Sequence, residues 1–289
     1  MSIGTTGRQL RVAILGAGMI GEVHRRAAML AGAQLVGVMA SSAERSVEAA
    51  AAWGTDPIRS VAELADLAPD VVHVCSPNGL HVSHVEAAVA AGAHVICEKP
   101  LSVATDEAVH VAQVAADSDR VATVPFVYRF HPLVREIRAR VQGGEFGTLQ
   151  LIHGSYLQDW LLSPMATSWR VDSAVGGPSR AFADIGSHWC DLMEFITGDR
   201  IASLVAATAI TVPERPATAS PSFSAGAQDG GPLRKVDTED VASVMFRTAR
   251  GVLGTVSISQ VSAGRKNRLW IEIDGEHLSA AFDQENPET

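Results

Sequence analysis

The sequence predicts an α/β chain in two parts. A doubly wound parallel sheet is expected over residues 1–125, and an α+β domain with an open, mostly antiparallel sheet over residues 126–289. Three observations carry this. Short apolar runs alternate with helical patterns from Leu10 to Val124, the order from which parallel sheets are built. The first run enters a glycine-rich turn, Gly16-Ala17-Gly18-Met19-Ile20-Gly21. After Pro125 the apolar period shifts to two, as in strands with one buried face.

With 289 residues, 47% of them hydrophobic and 19% charged, the chain can build one large or two ordinary domains. A net charge of -9 argues against a nucleic-acid partner, which needs a basic face. No apolar run reaches membrane-spanning length, and the N-terminus lacks a charged-then-apolar signal. No membrane partner and a cytoplasmic location are therefore expected. Cys75, Cys97 and Cys190 are odd in number and widely spaced, which reads as reduced, buried thiols.

Residues 1–9 read as a loose leader and Leu10 to Leu15 as a strand. In the turn that follows, Gly16 permits the sharp bend, Gly18 lets a pyrophosphate approach the backbone, and Gly21 lets the helix pack close to the sheet. Met19 and Ile20 open the helix, whose first N–H groups face the phosphates. Behind them Ile20, Val23, Ala27 and Leu30 recur at helical spacing. Strand, glycine turn and helix are the context a dinucleotide fingerprint requires; the bland alternative is a tight turn with no ligand.

The second strand, Gln34 to Met39, runs into Ala40-Ser41-Ser42-Ala43-Glu44-Arg45. NAD-preferring folds usually place a carboxylate here, on the ribose 2′-hydroxyl. Its absence admits a 2′-phosphate, which could meet Arg45, so NADP is favoured with NAD still possible. The alternative is that Ser42 caps the next helix and Arg45 is solvated.

Asp70 to Cys75 is a third strand, followed by Ser76-Pro77-Asn78-Gly79-Leu80-His81. That loop falls in the crevice beyond the strands' carboxyl ends, where open α/β sheets bind ligands. A helix spans His81 to Ala91. His81 and His84 lack a third ligand nearby, so they read as a solvated helix face; no metal is expected. His94 to Cys97 is a strand ending in Glu98-Lys99-Pro100. The proline stops the ladder, which holds Lys99 at a strand end. A helix over Val103 to Ala116 and a strand over Val121 to Val124 complete this part.

In the second part, Tyr128-Arg129-Phe130-His131-Pro132 leads into a helix ending at Gly143-Gly144. Leu149, Leu151 and His153 alternate with Gln150, Ile152 and Gly154. Val256 and Ile258 alternate with Ser257 and Ser259, and Leu269, Ile271 and Ile273 with Trp270, Glu272 and Asp274. Residues 213–232, rich in Pro, Ser, Ala and Gly, read as a mobile excursion. Asp184 and His188 are four apart, on one face of a helical turn. Such a pair orients an imidazole as a base or is simply a structural hydrogen bond.

Taken in order, Gly16/Gly18/Gly21, Ser76-Pro77-Asn78 with His81, Glu98-Lys99-Pro100, Tyr128-Arg129-Phe130, Trp169-Arg170 and Asp184-x-x-x-His188 resemble the Gfo/Idh/MocA oxidoreductase family. These are sugar and polyol dehydrogenases related to glucose–fructose oxidoreductase and inositol dehydrogenase. The likeness runs from Leu10 to nearly the end of the chain. It implies a Rossmann domain joined to an α/β domain whose open sheet often makes an oligomer interface, hence a homo-oligomer, dimer or tetramer. It also implies a catalytic set of Lys99, Asp184 and His188 and a cis bond before Pro100. Ser41, Ser42 and Arg45 look like the NADP-using anhydrofructose reductase branch, from which Ala40 departs. Family members continue with further strands, so the chain, which stops at Thr289 after Ala281-Phe282-Asp283-Gln284-Glu285-Asn286-Pro287, reads as C-terminally short.

The expected activity is hydride transfer between a nicotinamide and a secondary hydroxyl of a sugar, glycoside or cyclitol. His188 serves as base with Asp184 orienting it, and Lys99 stabilises alkoxide charge. The nicotinamide is expected near Ser76, Pro77, Asn78, His81 and Glu98. Tyr156, Gln158, Trp160, Trp169, Arg170 and Asp172 are candidate pocket walls, because aromatic faces suit sugar C–H faces and polar groups suit hydroxyls. Tyr128 and Arg129 fit either a pocket or packing. A non-catalytic dinucleotide sensor on the same fold and an imine or enone reductase are the competing readings.

Overall fold

The structure is a computed structural model in which residues 8–217 and 232–288 are described. It divides into two compact units, Met1–Pro125 and Phe126–Thr289.

The N-terminal unit runs β1 (Arg11–Leu15), α1 (Met19–Leu30), β2 (Gln34–Met39), α2 (Ala43–Trp53), α3 (Leu64–Leu67), β3 (Val71–Val74), α4 (His81–Ala90), β4 (His94–Cys97), α5 (Thr105–Ala116) and β5 (Ala122–Thr123). All strand pairs are parallel, in the order β2-β1-β3-β4-β5. Apolar runs form these strands because both sheet faces are covered. Ala13 and Leu15 join Val72, Val74 and Val95 against Val85 and Ala88 of α4 and Val111 of α5. Val12 and Ile14 point the other way and pack with Ala28 of α1.

Two helix faces differ from the sequence reading. In α1 the buried residues are Gly21 and Ala28, whereas Val23 is 56% and Leu30 90% exposed. The helix lies on Val12 and Ile14 through its small residues, not through the larger apolar ones. In α4 the inward stripe is His81, His84, Val85 and Ala88. The two histidines share the helical spacing of that stripe, so they are buried rather than solvated.

The C-terminal unit runs α6 (Pro132–Gln142), β6 (Leu149–Leu157), α7 (Ser173–Gly176), α8 (Ser187–Thr197), β7 (Ile201–Ala209), β8 (Glu214–Pro216), β9 (Leu233–Lys235), β10 (Val241–Thr248), β11 (Leu253–Ser259), β12 (Arg268–Gly275) and β13 (Ser279–Asp283). Six strands form one sheet, β13-β12-β6-β11-β10-β7, antiparallel except for the parallel pair β6–β11. One face carries Ile152, Tyr156, Val244, Phe246, Val256, Ile258, Leu269, Ile271 and Ile273. It packs on Trp189, Leu192, Met193 and Ile196 of α8 and on Val134 and Ile137 of α6.

On β6 the inward residues are Ile152 and Tyr156, with Leu151 exposed. Leu151 faces away from the core while Leu149 still packs against it, so this strand carries apolar side chains on both faces. Its middle residue fixes α8. A Cβ at Gly154 would lie 2.2 Å from the Trp270 carbonyl and 2.6 Å from Trp189 Nε1. Without one, the fully buried Trp189 indole reaches the sheet and donates to the Trp270 oxygen at 3.0 Å. Burying a side chain of this size contributes roughly 2–3 kcal/mol.

Residues 213–232 are not simply an excursion. Glu214–Pro216 and Leu233–Lys235 pair as antiparallel strands; residues 218–231 lie outside the described residues. Arg215 is fully buried. It donates to the carbonyls of Leu161, Ser163 and Ala166 and pairs with Asp240, which also pairs with Arg180. That polar knot ties the loop after β6 into the unit. The three cysteines are free, and burial pushes the Cys97 and Cys190 thiols up to about 12. No helix among the described residues is long and apolar enough to cross a membrane.

Burial, with His81 beside it, lowers the His84 pKa from 6.5 to about 4. The unfolded chain takes up this proton first as the pH falls, so folding stability is complete above pH ~6.5 and declines toward pH ~4. Calorimetry from pH 7 to 4.5 should show a falling unfolding temperature. His84→Leu should make that fall shallower, and an unchanged slope would mean that His84 is already charged in the fold.

Candidate active site

The carboxyl edge of the parallel sheet carries the glycine turn and the loops after β2, β3 and β4. The strand order reverses at β1, with β2 on one side and β3 on the other. Such a switch point opens a crevice for ligands. Gly16 has φ +119° and lies against β3, where a Cβ would sit 2.3 Å from the Cys75 carbonyl oxygen. Its N–H donates to the Met39 oxygen at 2.7 Å. A Cβ at Gly21 would meet the Gly16 oxygen at 1.9 Å. The third glycine thus lets α1 close on its own turn, rather than on the sheet as the sequence reading has it. Gly18 faces open space and caps α1 with no side-chain bond. The N–H groups of Met19 and Ile20 follow at this open helix end, where an anion is favoured.

At the end of β2, Ser42 accepts the Arg45 N–H at 3.2 Å and caps α2, while the exposed Arg45 guanidinium reaches Ser41 Oγ at 3.4 Å. Ala40 donates its N–H to Ser46 Oγ at 2.9 Å. Ser42 therefore caps the helix, and the Arg45 guanidinium is exposed beside Ser41.

The next two loops are stitched together by His81. Its Nδ1 lies 2.7 Å from the Pro100 oxygen and its Nε2 2.9 Å from the Ser76 oxygen. Both partners are carbonyl oxygens and only accept, so bonding both at once takes a hydrogen on each ring nitrogen; burial lowers the His81 pKa against those two bonds. His81 therefore faces backbone on both sides, Ser76 in one loop and Pro100 in the other. Pro77 and Asn78 begin the short turn that leads into α4. Ser76 Oγ is enclosed and has no hydrogen-bond partner among the described residues. That atom, the open space at Gly18 and the uncapped start of α1 fit a dinucleotide.

Lys99 follows β4, with a cis bond to Pro100. Its N–H donates to Glu98 Oε2 at 3.2 Å. Glu98 Oε1 lies 3.0 Å from His24 Nε2, and His24 Nδ1 lies 3.0 Å from His73 Nδ1. Burial raises the Glu98 pKa, but the His24 bond and the Lys99 charge outweigh it and the net shift is downward. His24 and His73 carried no signal in the sequence, because their partners lie on other elements.

In the C-terminal unit, Asp184 and His188 do not share a regular α-helix. Phe182–Gly186 is π-helical and continues into α8, where His188 occupies the first turn. Single π-turns inside helices are frequent at functional sites. Gln260 Nε2 donates to one Asp184 oxygen at 3.0 Å, and Arg170 Nε lies 3.4 Å from the other. Trp189 anchors α8 to the sheet, and its neighbour His188 meets three aromatic rings, Tyr128 at 5.4 Å, Phe126 at 5.6 Å and Tyr156 at 6.3 Å between centroids.

Beside His188 the hydrogen bonds close a ring. Tyr156 donates to Asn267 Oδ1 at 2.8 Å, and Asn267 Nδ2 donates to the Tyr128 oxygen at 3.4 Å. Tyr156 has spent its only proton, so in the 2.7 Å contact between the phenols Tyr128 is the donor. Gln158 Nε2 also donates to Asn267 Oδ1, at 2.8 Å. Burial raises both phenol pKa values, so the ring stays neutral. Asn267 and Gln260 were invisible in the sequence, since polar residues near strand ends are common.

The other expected wall residues are partly committed. Arg129 makes a two-pronged pair with Asp191 and lies over the Phe195 ring at 5.2 Å, which is packing. Asp172 caps α7 through the Ala174 N–H and pairs with Arg234 at 2.7 Å. Arg170 stacks on Trp169 at 4.5 Å while touching Asp184. Trp160 is half-buried in the loop tied down by Arg215.

Comparison with known proteins follows the same division. The family described as "Oxidoreductase family, NAD-binding Rossmann fold" matches residues 10–126, and the "GFO/IDH/MocA C-terminal domain" matches residues 134–281. Levoglucosan dehydrogenase of Pseudarthrobacter phenanthrenivorans is 32% identical over 96% of this chain and 74% of its own length. A solved structure of levoglucosan dehydrogenase with NADH and L-sorbose superposes with a TM-score of 0.87 at 30% identity, covering 97% of this chain and 75% of that one. An inositol dehydrogenase homologue from Azotobacter vinelandii, solved with NAD+, gives 0.83 at 27%, covering 97% and 72%. The chain thus spans about three quarters of the length of each.

The ring makes a direct prediction. Asn267→Leu strands the Tyr156 hydroxyl and the Gln158 amide without their acceptor. It should destabilise the protein by about 1–3 kcal/mol, read as a lower urea midpoint at unchanged slope. Asn267→Asp keeps the acceptor and should lose less. Equal losses would mean that packing, not the acceptor oxygen, matters at this position.

Proposed function

Because the chain belongs to the GFO/IDH/MocA oxidoreductase family, we propose that it is a nicotinamide-dinucleotide-dependent dehydrogenase acting on a secondary hydroxyl of a sugar, glycoside or cyclitol. The observation that carries this reading is the set of proton-handling groups the chain keeps, Lys99, Asp184 and His188. A sensor that only binds dinucleotide needs none of them.

The N–H groups of Met19 and Ile20, beyond Gly18, take the pyrophosphate, and Ser76, Asn78 and Glu98 hold the nicotinamide half. When bound, that nicotinamide supplies hydride chemistry. His188 accepts the hydroxyl proton as general base. Its aromatic surround of Phe126, Tyr128 and Tyr156 fixes the ring plane. Asp184, itself held by Gln260 and Arg170, provides the carboxylate that favours the protonated imidazole. Lys99 stabilises negative charge on the reacting oxygen. Trp160 and Trp169 offer faces to sugar C–H groups, and Gln158 contributes polar recognition. Relatives named levoglucosan dehydrogenase and inositol 2-dehydrogenase support a polyhydroxylated ring as the substrate.

The test is reduction of NAD+ and NADP+ with levoglucosan, myo-inositol, glucose and a methyl glucoside. Turnover of at least one ring is expected. Binding of dinucleotide with no turnover of any would favour the sensor. On the substrate that reacts, His188→Ala should lower kcat by about a hundredfold or more with cofactor affinity kept, and Lys99→Met should abolish turnover in a folded protein. Parallel loss of turnover and cofactor affinity in His188→Ala would make that residue structural.

Within this reading NADP(H) is the preferred cofactor. Ala40-Ser41-Ser42 carries no carboxylate to bind the ribose hydroxyls or repel a 2′-phosphate, and Arg45 sits beside Ser41. A charge-assisted contact to phosphate is worth roughly 1.5–3 kcal/mol, about ten- to a hundredfold. Fluorescence titration should give tighter NADPH than NADH binding, most of the difference vanishing in Arg45→Ala. Ala40→Asp should turn the preference toward NADH. Tighter NADH binding by the wild type, unmoved by Arg45→Ala, returns Arg45 to the solvent.

A further inference from the structure

The chain Glu98–His24–His73 joins three elements of the N-terminal unit. His24 lies on α1, the helix that opens at Gly18. His73 lies on β3, and Glu98 immediately follows β4. The His24 and Glu98 side chains are only 11% and 17% exposed. The two imidazoles meet edge to face, with centroids 5.1 Å apart.

The protons in this chain follow from its ends. Glu98, whose pKa is lowered, is a carboxylate and can only accept, so His24 Nε2 carries a hydrogen and donates. Burial, with His24 beside it, lowers the His73 pKa to about 4, so His73 is neutral at pH 7. One proton lies between the two Nδ1 atoms at 3.0 Å. His24 is thereby locked in ring orientation from both sides. A half-buried carboxylate with its best donor removed is costly, so the simplest account would be structural. The position of Glu98 argues for more. Its other oxygen accepts the Lys99 N–H, so the orientation of Glu98 sets that of the peptide carrying Lys99.

We propose that His24 is a positioning residue that holds Glu98, and through it Lys99, in register with the nicotinamide half of the dinucleotide bound at the start of α1. This rests on the dinucleotide site of the proposed function, but not on any particular sugar. The helix that grips the pyrophosphate and the strand end that carries the lysine are joined through one imidazole. Loosening that bond leaves the phosphate grip intact and frees the nicotinamide end.

The experiment compares NADH with ADP-ribose, which has both phosphates and no nicotinamide, on wild type, His24→Leu and His24→Gln. His24→Leu should weaken NADH about tenfold, the worth of one charge-assisted bond. It should leave ADP-ribose within about twofold of wild type. His24→Gln, whose amide can still donate to Glu98, should restore most of the difference. In a Glu98→Ala background, His24→Leu should change nothing further. On any sugar that turns over, kcat should fall in His24→Leu with the sugar KM little changed. Equal loss of both ligands, additivity with Glu98→Ala, or full NADH affinity in His24→Leu overturns the proposal. Should His24→Leu fail to fold, His24→Asn, whose amide is shorter by one methylene, takes its place. It should bind NADH more weakly than His24→Gln, and equal values overturn the proposal. A wild type that turns over no sugar but shows the NADH-selective loss would sink the dehydrogenase reading and leave this one standing.

Discussion

The N-terminal unit depends on a place where backbone meets backbone with no room for a side chain. At the end of β1 the Gly16 amide is bonded to the end of β2, its α-carbon lies against the end of β3, and its carbonyl is covered by Gly21 of α1. Three strands and a helix therefore converge within a few ångströms. An alanine at either position would place a carbon inside contact distance of a carbonyl that cannot move without moving a strand. The loops after β2, β3 and β4 inherit their positions from that convergence. His81 then ties two of them together.

The C-terminal unit solves a different problem, how to aim one imidazole from a helix that must also be buried. Consecutive residues do opposite jobs. Trp189 sinks into the sheet above Gly154, and His188 emerges among three aromatic rings. The π-turn just before α8 shifts the phase of the helix, which is how Asp184 reaches Gln260 and Arg170 instead of following the α-helical stripe.

Much of this was legible in the sequence because it is local. β2 and β4 have the bounds the apolar runs indicate, and the glycine turn sits where strand gives way to helix. Helical period alone did not say which stripe faces inward. His81 and His84 share their stripe with Val85 and Ala88, and the polar pair drew the reading outward. On β6 apolar residues occupy both faces, so alternation could not choose between Leu151 and Ile152. Asn267, Gln260, His24 and His73 were not legible at all. Each matters through a partner 49 to 139 residues away, and nothing in the spacing of neighbours encodes such a meeting.

The ring of Tyr128, Tyr156 and Asn267 has a directional consequence. Every hydrogen on the two phenols is already given within the ring. What the two oxygens have left to offer is lone pairs alone. Any polar group that meets either oxygen can therefore only donate to it. The tyrosines, usually counted as donors or acceptors at will, here have one grammatical role.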